Sequence, residues 1–257
     1  MIKLFVNADD FGASESINKA IAECFTNKFI TATTLMVNMP FCDGAVQISR
    51  ASGFFDCVGL HLNISTGYPL SEGIKKYPLF VGNDGQFNDG FRKHLAKQFV
   101  LTVAERQALS EEFEMQMEKY FSLGYHGHLD SHKHIHTCWA FFNTLRPLLE
   151  KHSFLTTRLS RNINGKIKPH IRLYKSIYNS ALRQKTPVRT KYFTSFTTIL
   201  EKGFPQDGII ELMCHPDYSP GGALINKNAA GFEEIYNKIQ NYILLKPFDL
   251  LCSARVA

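Results

Sequence analysis

Apolar and polar positions follow two rhythms along the chain, short β-prone runs and longer helical stripes. Residues 2–7 form an apolar, β-prone run that ends in two acids. Ser14 and Ser16 then offer N-caps to an amphipathic stretch through Phe25. Residues 29–37, rich in Thr, Ile and Val, predict a second strand, residues 41–52 have helical spacing, and residues 57–63 predict a third strand that closes on a histidine. Leu109, Phe113, Met117 and Phe121, four apart, predict a helix over 102–122. Further on, strands at 127–131 and 154–159 flank a helix at 139–151, and strands at 192–196 and 209–214 precede a helix at 231–244. Strands spaced by helices imply βα units and a largely parallel sheet. With no internal repeat and no flexible linker, one α/β domain over residues 1–257 is expected. Polar residues recur at strand C-terminal ends, which favours a (β/α) barrel.

Residues 66–91, dense in Gly, Pro, Asn and Asp, interrupt the alternation. A connection this long predicts a lid or substrate loop. Pro69, Leu70, Tyr77, Pro78, Leu79, Phe80 and Phe87 give it apolar anchors.

Composition narrows the class. With 257 residues, 44% of them hydrophobic and 20% charged, the chain is neither disordered nor fibrous. A domain of this size buries roughly three quarters of its unfolded surface, so it needs no disulfide or metal to fold, and a metal here would be functional. No run of about 18 apolar residues predicts a membrane span. The first residues give no secretory signal, and the six cysteines form no C-x-x-C pair and read as reduced, buried side chains; the cytoplasm is the expected compartment. The net charge of +6 is uneven, because residues 158–191 hold ten Lys and Arg and no acid. An anionic partner, nucleic acid or lipid, is one reading. The favoured one is a solvated helix with Ile171, Leu173, Ile177, Tyr178 and Leu182 as its apolar side, and nucleic acid is not an expected partner because no known motif accompanies the charge.

Four clusters at predicted strand ends carry the chemistry. In Asn7-Ala8-Asp9-Asp10-Phe11-Gly12, adjacent carboxylates repel unless one binds a cation or gains a proton. On an extended strand they point to opposite sides, which suggests one metal ligand and one general base, with capping of the next helix the competing role. Gly59-Leu60-His61-Leu62-Asn63 places a histidine in an apolar strand, either a core residue or a ligand. Residues 126–136 hold five of the ten histidines. In extended chain His128, Asp130, His132, His134 and His136 would share a face, too many for one ion. The strand should therefore end near Ser131, leaving one or two histidines for a metal and the rest for supporting or substrate contacts. As a helix, His132 and His136 would also make a workable i, i+4 pair. Finally, Glu211-Leu212-Met213-Cys214-His215-Pro216-Asp217 stops a strand at His215, a good position for a general acid. Asp, His and His from three strand ends make a mixed nitrogen and oxygen site with room for water. No nucleophile elbow or phosphate-binding glycine loop is present.

Taken in order, these motifs resemble the YdjC-like carbohydrate deacetylases, from residue 3 to about 220. That family includes chitooligosaccharide and hopanoid-sugar deacetylases and is similar in fold to the NodB-type polysaccharide deacetylases, an irregular (β/α) barrel. The resemblance implies that Asp10, His61 and His132 hold one divalent ion, zinc or magnesium, that Asp9 is the general base and that His215 is the general acid. Metal-bound water would attack the acetamide carbonyl of an N-acetylated sugar and release acetate. Arg158 or Arg161 would orient the base, and Asp130, His134, His136 and Arg161 would touch substrate or support the ligands. Residues 66–91 would cover the sugar, with Tyr68, Tyr77, Phe80 or Phe87 to stack on it. A homodimer fits the resemblance. The rival readings are a metal-dependent hydrolase of another bond, such as a phosphoester, and a non-catalytic sugar- or nucleic-acid-binding protein.

Overall fold

The structure, a computed structural model, describes residues 1–163, 165, 167–227 and 231–253. β1 (Ile2–Phe11) leads to α1 (Glu15–Thr26), β2 (Ala32–Leu35), α2 (Cys42–Ala51) and β3 (Val58–Leu62). Beyond the 66–91 segment come α3 (Gly90–Lys93), α4 (Val103–Ser122), β4 (His128–Ser131), α5 (Trp139–Lys151), β5 (Thr156–Thr157) and α6 (Pro169–Lys185). The rest comprises β6 (Tyr192–Ser195), α7 (Phe196–Lys202), β7 (Gly208–Cys214), β8 (Pro216–Tyr218), β9 (Leu224–Asn226), α8 (Phe232–Ile239), β10 (Ile243–Leu244) and α9 (Asp249–Ser253).

The main sheet runs β5-β4-β3-β2-β1-β7-β6 with all neighbours parallel, and β10 lies against the start of β1. Among the described residues no ladder joins β5 to β6. Single hydrogen bonds span that seam instead: Thr157 N donates to Pro187 O at 3.1 Å, Arg189 N to Thr156 Oγ1 at 3.1 Å, and Phe193 N to Asn162 Oδ1 at 2.8 Å. The result is an incomplete (β/α) barrel, in line with the alternation of strands and helices in the sequence.

Alternation along β1 divides its work. Leu4, Val6 and Ala8 join the large core shared with Ile17 and Ile21 of α1. Phe5 belongs to a separate cluster with Ala32, Leu245 and Leu250, and its ring lies 5.2 Å from that of His128 across the barrel. On the same face as Phe5 stand Asn7 and Asp9. Each large apolar side chain buried on the helix-facing side stabilises the fold by roughly 1.5–3 kcal/mol. The inward face carries polar groups, so stability and chemistry occupy opposite faces of the same strands.

α4 begins with a capping box between Thr102 and Glu105. It also carries two buried polar residues toward the barrel mouth. Glu112 accepts from Ser71 N at 2.7 Å, and Gln116 Nε2 donates to Asn63 O at 2.6 Å. These bonds tie down the start of the 66–91 segment, whose Ile74, Phe80, Val81 and Phe87 are buried in the main core.

Some expectations change. β1 extends to Phe11, and the strand expected at 29–37 narrows to β2. The helix expected over 231–244 ends at Ile239, because Ile243 and Leu244 pair with Lys3 and Leu4 of β1. On α6, Tyr178 and Leu182 are buried, but Ile171, Leu173 and Ile177 are exposed, so the five do not form one buried stripe. Phe80 and Phe87 are core residues and are not available to stack on a sugar, whereas Tyr68 is exposed. Cys24, Cys42, Cys57 and Cys214 are buried and free, Cys138 is free and half-buried, and the side chain of Cys252 lies outside the described residues. Among the described residues no helix is long and apolar enough to cross a membrane.

Candidate metal centre

The two adjacent acids both reach the barrel mouth, contrary to the opposite sides expected of a regular strand. Ala8 pairs with Thr33 but Phe11 with Leu35, so β1 carries one extra residue there. Asp10 takes φ 70°, a left-handed conformation that Asp tolerates better than most residues. Asp9 is thereby buried, while Asp10 keeps about a sixth of its side-chain surface. The turn then needs glycine, since Gly12 has φ 89° and an added Cβ would lie 3.2 Å from Met36 O.

His61 arrives from β3 and His132 from just beyond β4. Lys133 and His134 adopt φ 51° and 55°, which ends the strand and turns the chain after His132. Asp10 Oδ1 lies 3.2 Å from His61 Nε2 and 2.8 Å from His132 Nδ1. Ligand atoms around one tetrahedral ion stand about 3.3 Å apart, so small adjustments would seat a cation among these three. Among the described residues, two further groups could hold an ion on spacing alone, Asp9 with His61 and Asp130, and His128 with Asp130 and Glu211. Both are fully buried and already bonded to Arg158, which stands where a cation would. The Asp10, His61 and His132 group alone opens to the mouth.

Beneath it lies a charged network. Arg158, wholly buried, grips Asp9 with both terminal nitrogens, at 2.7 Å to Oδ2 and 2.8 Å to Oδ1. Its NH1 also lies 2.7 Å from Asp130 Oδ2, and its Nε donates to Glu211 Oε1 at 2.5 Å. Asp130 Oδ1 takes His61 Nδ1 at 2.6 Å, which leaves His61 Nε2 to face Asp10. Thr34 Oγ1 and Asn7 Nδ2 brace the same carboxylates, and His128 Nε2 contacts Glu211 at 3.0 Å. Burial disfavours charge on Asp9, but Arg158 overrides it and holds that carboxyl far below its usual range. Burial likewise opposes charge on His61, yet the negative Asp130 and the bonds to Asp10 and Asp130 push it up to about 10. Three carboxylates, Asp9, Asp130 and Glu211, face one guanidinium, and Asp10 beside them meets His61 and His132, an excess of negative charge that suits an added cation.

His215 follows β7, half-exposed, with Nε2 3.9 Å from Asp9 Oδ2. The β8–β9 hairpin fixes its backbone: His215 N donates to Asn226 Oδ1 at 2.8 Å, and Lys227 N donates to His215 O at 2.9 Å. Asp9, Asp10, His61, Asp130, His132 and His215 thus come together. His136 does not join them: it is buried with Nδ1 2.5 Å from Ser131 Oγ, and the i, i+4 pairing with His132 does not form. His134 sits beside Phe193, and with Arg161 and Lys175 it lines a neighbouring cavity of about 390 Å³. Of the two candidate arginines, Arg158 grips Asp9. Sequence reasoning gave no role to Thr34 or Glu211 and named His128 only among the clustered histidines; the one available signal for Glu211 was a lone acid in an otherwise apolar strand.

Residues 3–257 match the family described as YdjC-like protein. A carbohydrate deacetylase of Halalkalibacterium halodurans is 30% identical over all of this chain and 98% of its own length. One from Clostridium beijerinckii is 30% identical over 84% of this chain and 82% of its own. A crystal structure from Enterococcus faecalis, described provisionally as a cellobiose-phosphate cleavage protein, superposes with a TM-score of 0.71 at 20% identity, covering 96% of this chain and 98% of that one. The chain therefore belongs to the YdjC-like family.

Proposed function

We propose that the protein is a metal-dependent N-deacetylase of a small N-acetylglucosamine-containing sugar or glycoconjugate. The observation that carries this reading is the meeting of Asp9, clamped by Arg158, with His215 beside the Asp10, His61 and His132 group. Those three residues hold one divalent ion, and two imidazoles favour zinc over magnesium by ligand softness. Such an ion supplies a Lewis acid that polarises the acetamide carbonyl and acidifies water. Arg158 keeps Asp9 ionised, so Asp9 can accept the proton of the attacking water. His215 delivers a proton to the departing nitrogen. The C–N bond breaks, acetate leaves, and a free amine remains on the sugar. Asp130 fixes His61 through Nδ1 and so orients the nitrogen that faces Asp10. The 66–91 segment borders the substrate, and exposed Tyr68 is its stacking surface. The free thiols of Cys24, Cys42, Cys57, Cys138 and Cys214 support a reducing, cytoplasmic compartment.

The test is acetate release from N-acetylated sugars, diacetylchitobiose first, with zinc or magnesium supplied and a chelator control. Metal-dependent acetate is expected. Phosphate release from phosphoesters without acetate, or an absence of both acetate and bound metal, would overturn the reading.

A further inference from the structure

Two segments far apart in sequence carry cations and no acid. Residues 90–104 contain Arg92, Lys93 and Lys97, residues 158–191 contain ten Lys and Arg, and neither has an Asp or Glu. They meet where Phe99 contacts Tyr174 edge to face, with ring centroids 5.9 Å apart. Leu95, Phe99, Ile171 and Tyr174 line a groove of about 620 Å³ at that junction.

The same two segments leave large apolar side chains in water. Leu95, Val100 and Val103 are 69%, 71% and 73% exposed, and Leu173 and Ile177 on α6 are 62% and 53% exposed. Of thirteen large apolar side chains exposed among the described residues, seven fall within 95–103 and 171–177. Single exposed apolar residues are ordinary, but this concentration marks an interaction surface. Exposed Arg92, Lys93, Lys168 and Arg172 interleave with it along the chain.

The charge selects the occupant. Lys97 is paired with Glu105 at 2.7 Å, but Arg92, Lys93, Lys168 and Arg172 are exposed, and a symmetric contact with a second copy would set this cationic face against itself. Nucleic acid would meet the cations but leave the apolar side chains in water. An anionic bilayer satisfies both, with apolar side chains at the headgroup boundary and cations on lipid phosphates. We propose that the face built from residues 92–103 and the first half of α6 docks on the surface of an anionic lipid bilayer. This inference stands apart from the deacetylase reading and is tested without any activity measurement.

The experiment is flotation of the full chain with vesicles of pure phosphatidylcholine and of an equimolar phosphatidylcholine and phosphatidylglycerol mixture. The chain is expected to float with the anionic vesicles only, and less at high salt. Lys168→Ala with Arg172→Ala should weaken binding roughly thirtyfold, about fivefold for each cation at the surface. Leu173→Ser with Ile177→Ser should weaken it roughly tenfold. All four positions are exposed, so the variants should melt like the parent. Failure to float with anionic vesicles, equal flotation with neutral ones, or variants that bind like the parent would overturn the proposal. So would a lipid-free dimer that the Leu173→Ser and Ile177→Ser pair abolishes, which would assign the face to a second copy.

Discussion

Asp9 and Arg158 form a bidentate pair that a lysine could not reproduce, because an ammonium offers no planar fork. Arg158→Lys should let Asp9 shift and lower kcat roughly 100-fold with metal affinity little changed, measured by acetate release beside a metal titration. Loss of metal affinity in step with kcat would mean that Arg158 acts on the ligands instead. His215→Asn should cut kcat by roughly 100-fold or more while KM holds, the signature of a lost proton donor. The raised pKa of His61 has a stability consequence in metal-free protein. At about 10, the folded chain keeps a proton that the unfolded chain releases near its ordinary value of about 6.5. That contribution is fully present below about 6.5 and is lost as pH rises through about 10. In chelator, Tm should therefore fall between pH 7 and 10. An ion bound by His61 displaces the same proton, so calorimetry in buffers of different ionisation enthalpy should register proton release on metal binding. A flat Tm together with metal binding that releases no proton would contradict this description.

At the level of elements, β3 and β4 approach closely because Gly59 on β3 and Gly127 just before β4 carry no side chain, a Cβ on Gly127 standing 2.6 Å from Val58 O. A Cβ on Gly59 would stand 2.4 Å from His128 O, a main-chain atom that cannot swing away. Gly59→Ala should destabilise the fold by about 3 kcal/mol, read in denaturant unfolding, and disturb His61 two residues on. An unchanged midpoint would show that the two strands can part without cost. Thr102→Ala should remove one half of the α4 capping box and cost about 1 kcal/mol in the same assay. Helices with strong periodicity, such as α4, and the strand ends at Ser131 and Cys214 are legible in the sequence. The bulge at Asp9 and Asp10 is not, since it depends on how β2 pairs with β1, and that pairing moved both acids to one side. β10 is hidden for a similar reason: Ile243 and Leu244 continue a helical pattern but find a partner in β1. Local propensity loses to tertiary pairing at both places.

For the whole molecule, the barrel places stability outside and charge inside. Leu4, Val6, Leu60, Leu62, Leu129 and Leu212 face the helices, while Asn7, Asp9, His61, Asp130 and Glu211 on the same strands converge within. The sequence order of four motifs was enough to nominate Asp9, Asp10, His61, His132 and His215. It could not choose between Arg158 and Arg161, which lie three residues apart in irregular chain after β5, nor foresee that Glu211, itself in contact with His128, anchors Arg158 from the far side. Those contacts join strands distant in sequence, and only the curl of the incomplete barrel brings them together. The central claim is that ligand set and base are separate: Asp10, His61 and His132 hold the ion, and Asp9 accepts the proton. The most direct measurement is acetate release by Asp9→Asn, with bound metal quantified in the same sample. Metal retained at the parent's stoichiometry with turnover lowered roughly 1,000-fold or more is the expected result. An Asp9→Asn chain that keeps its metal and releases acetate at the parent's rate would contradict it.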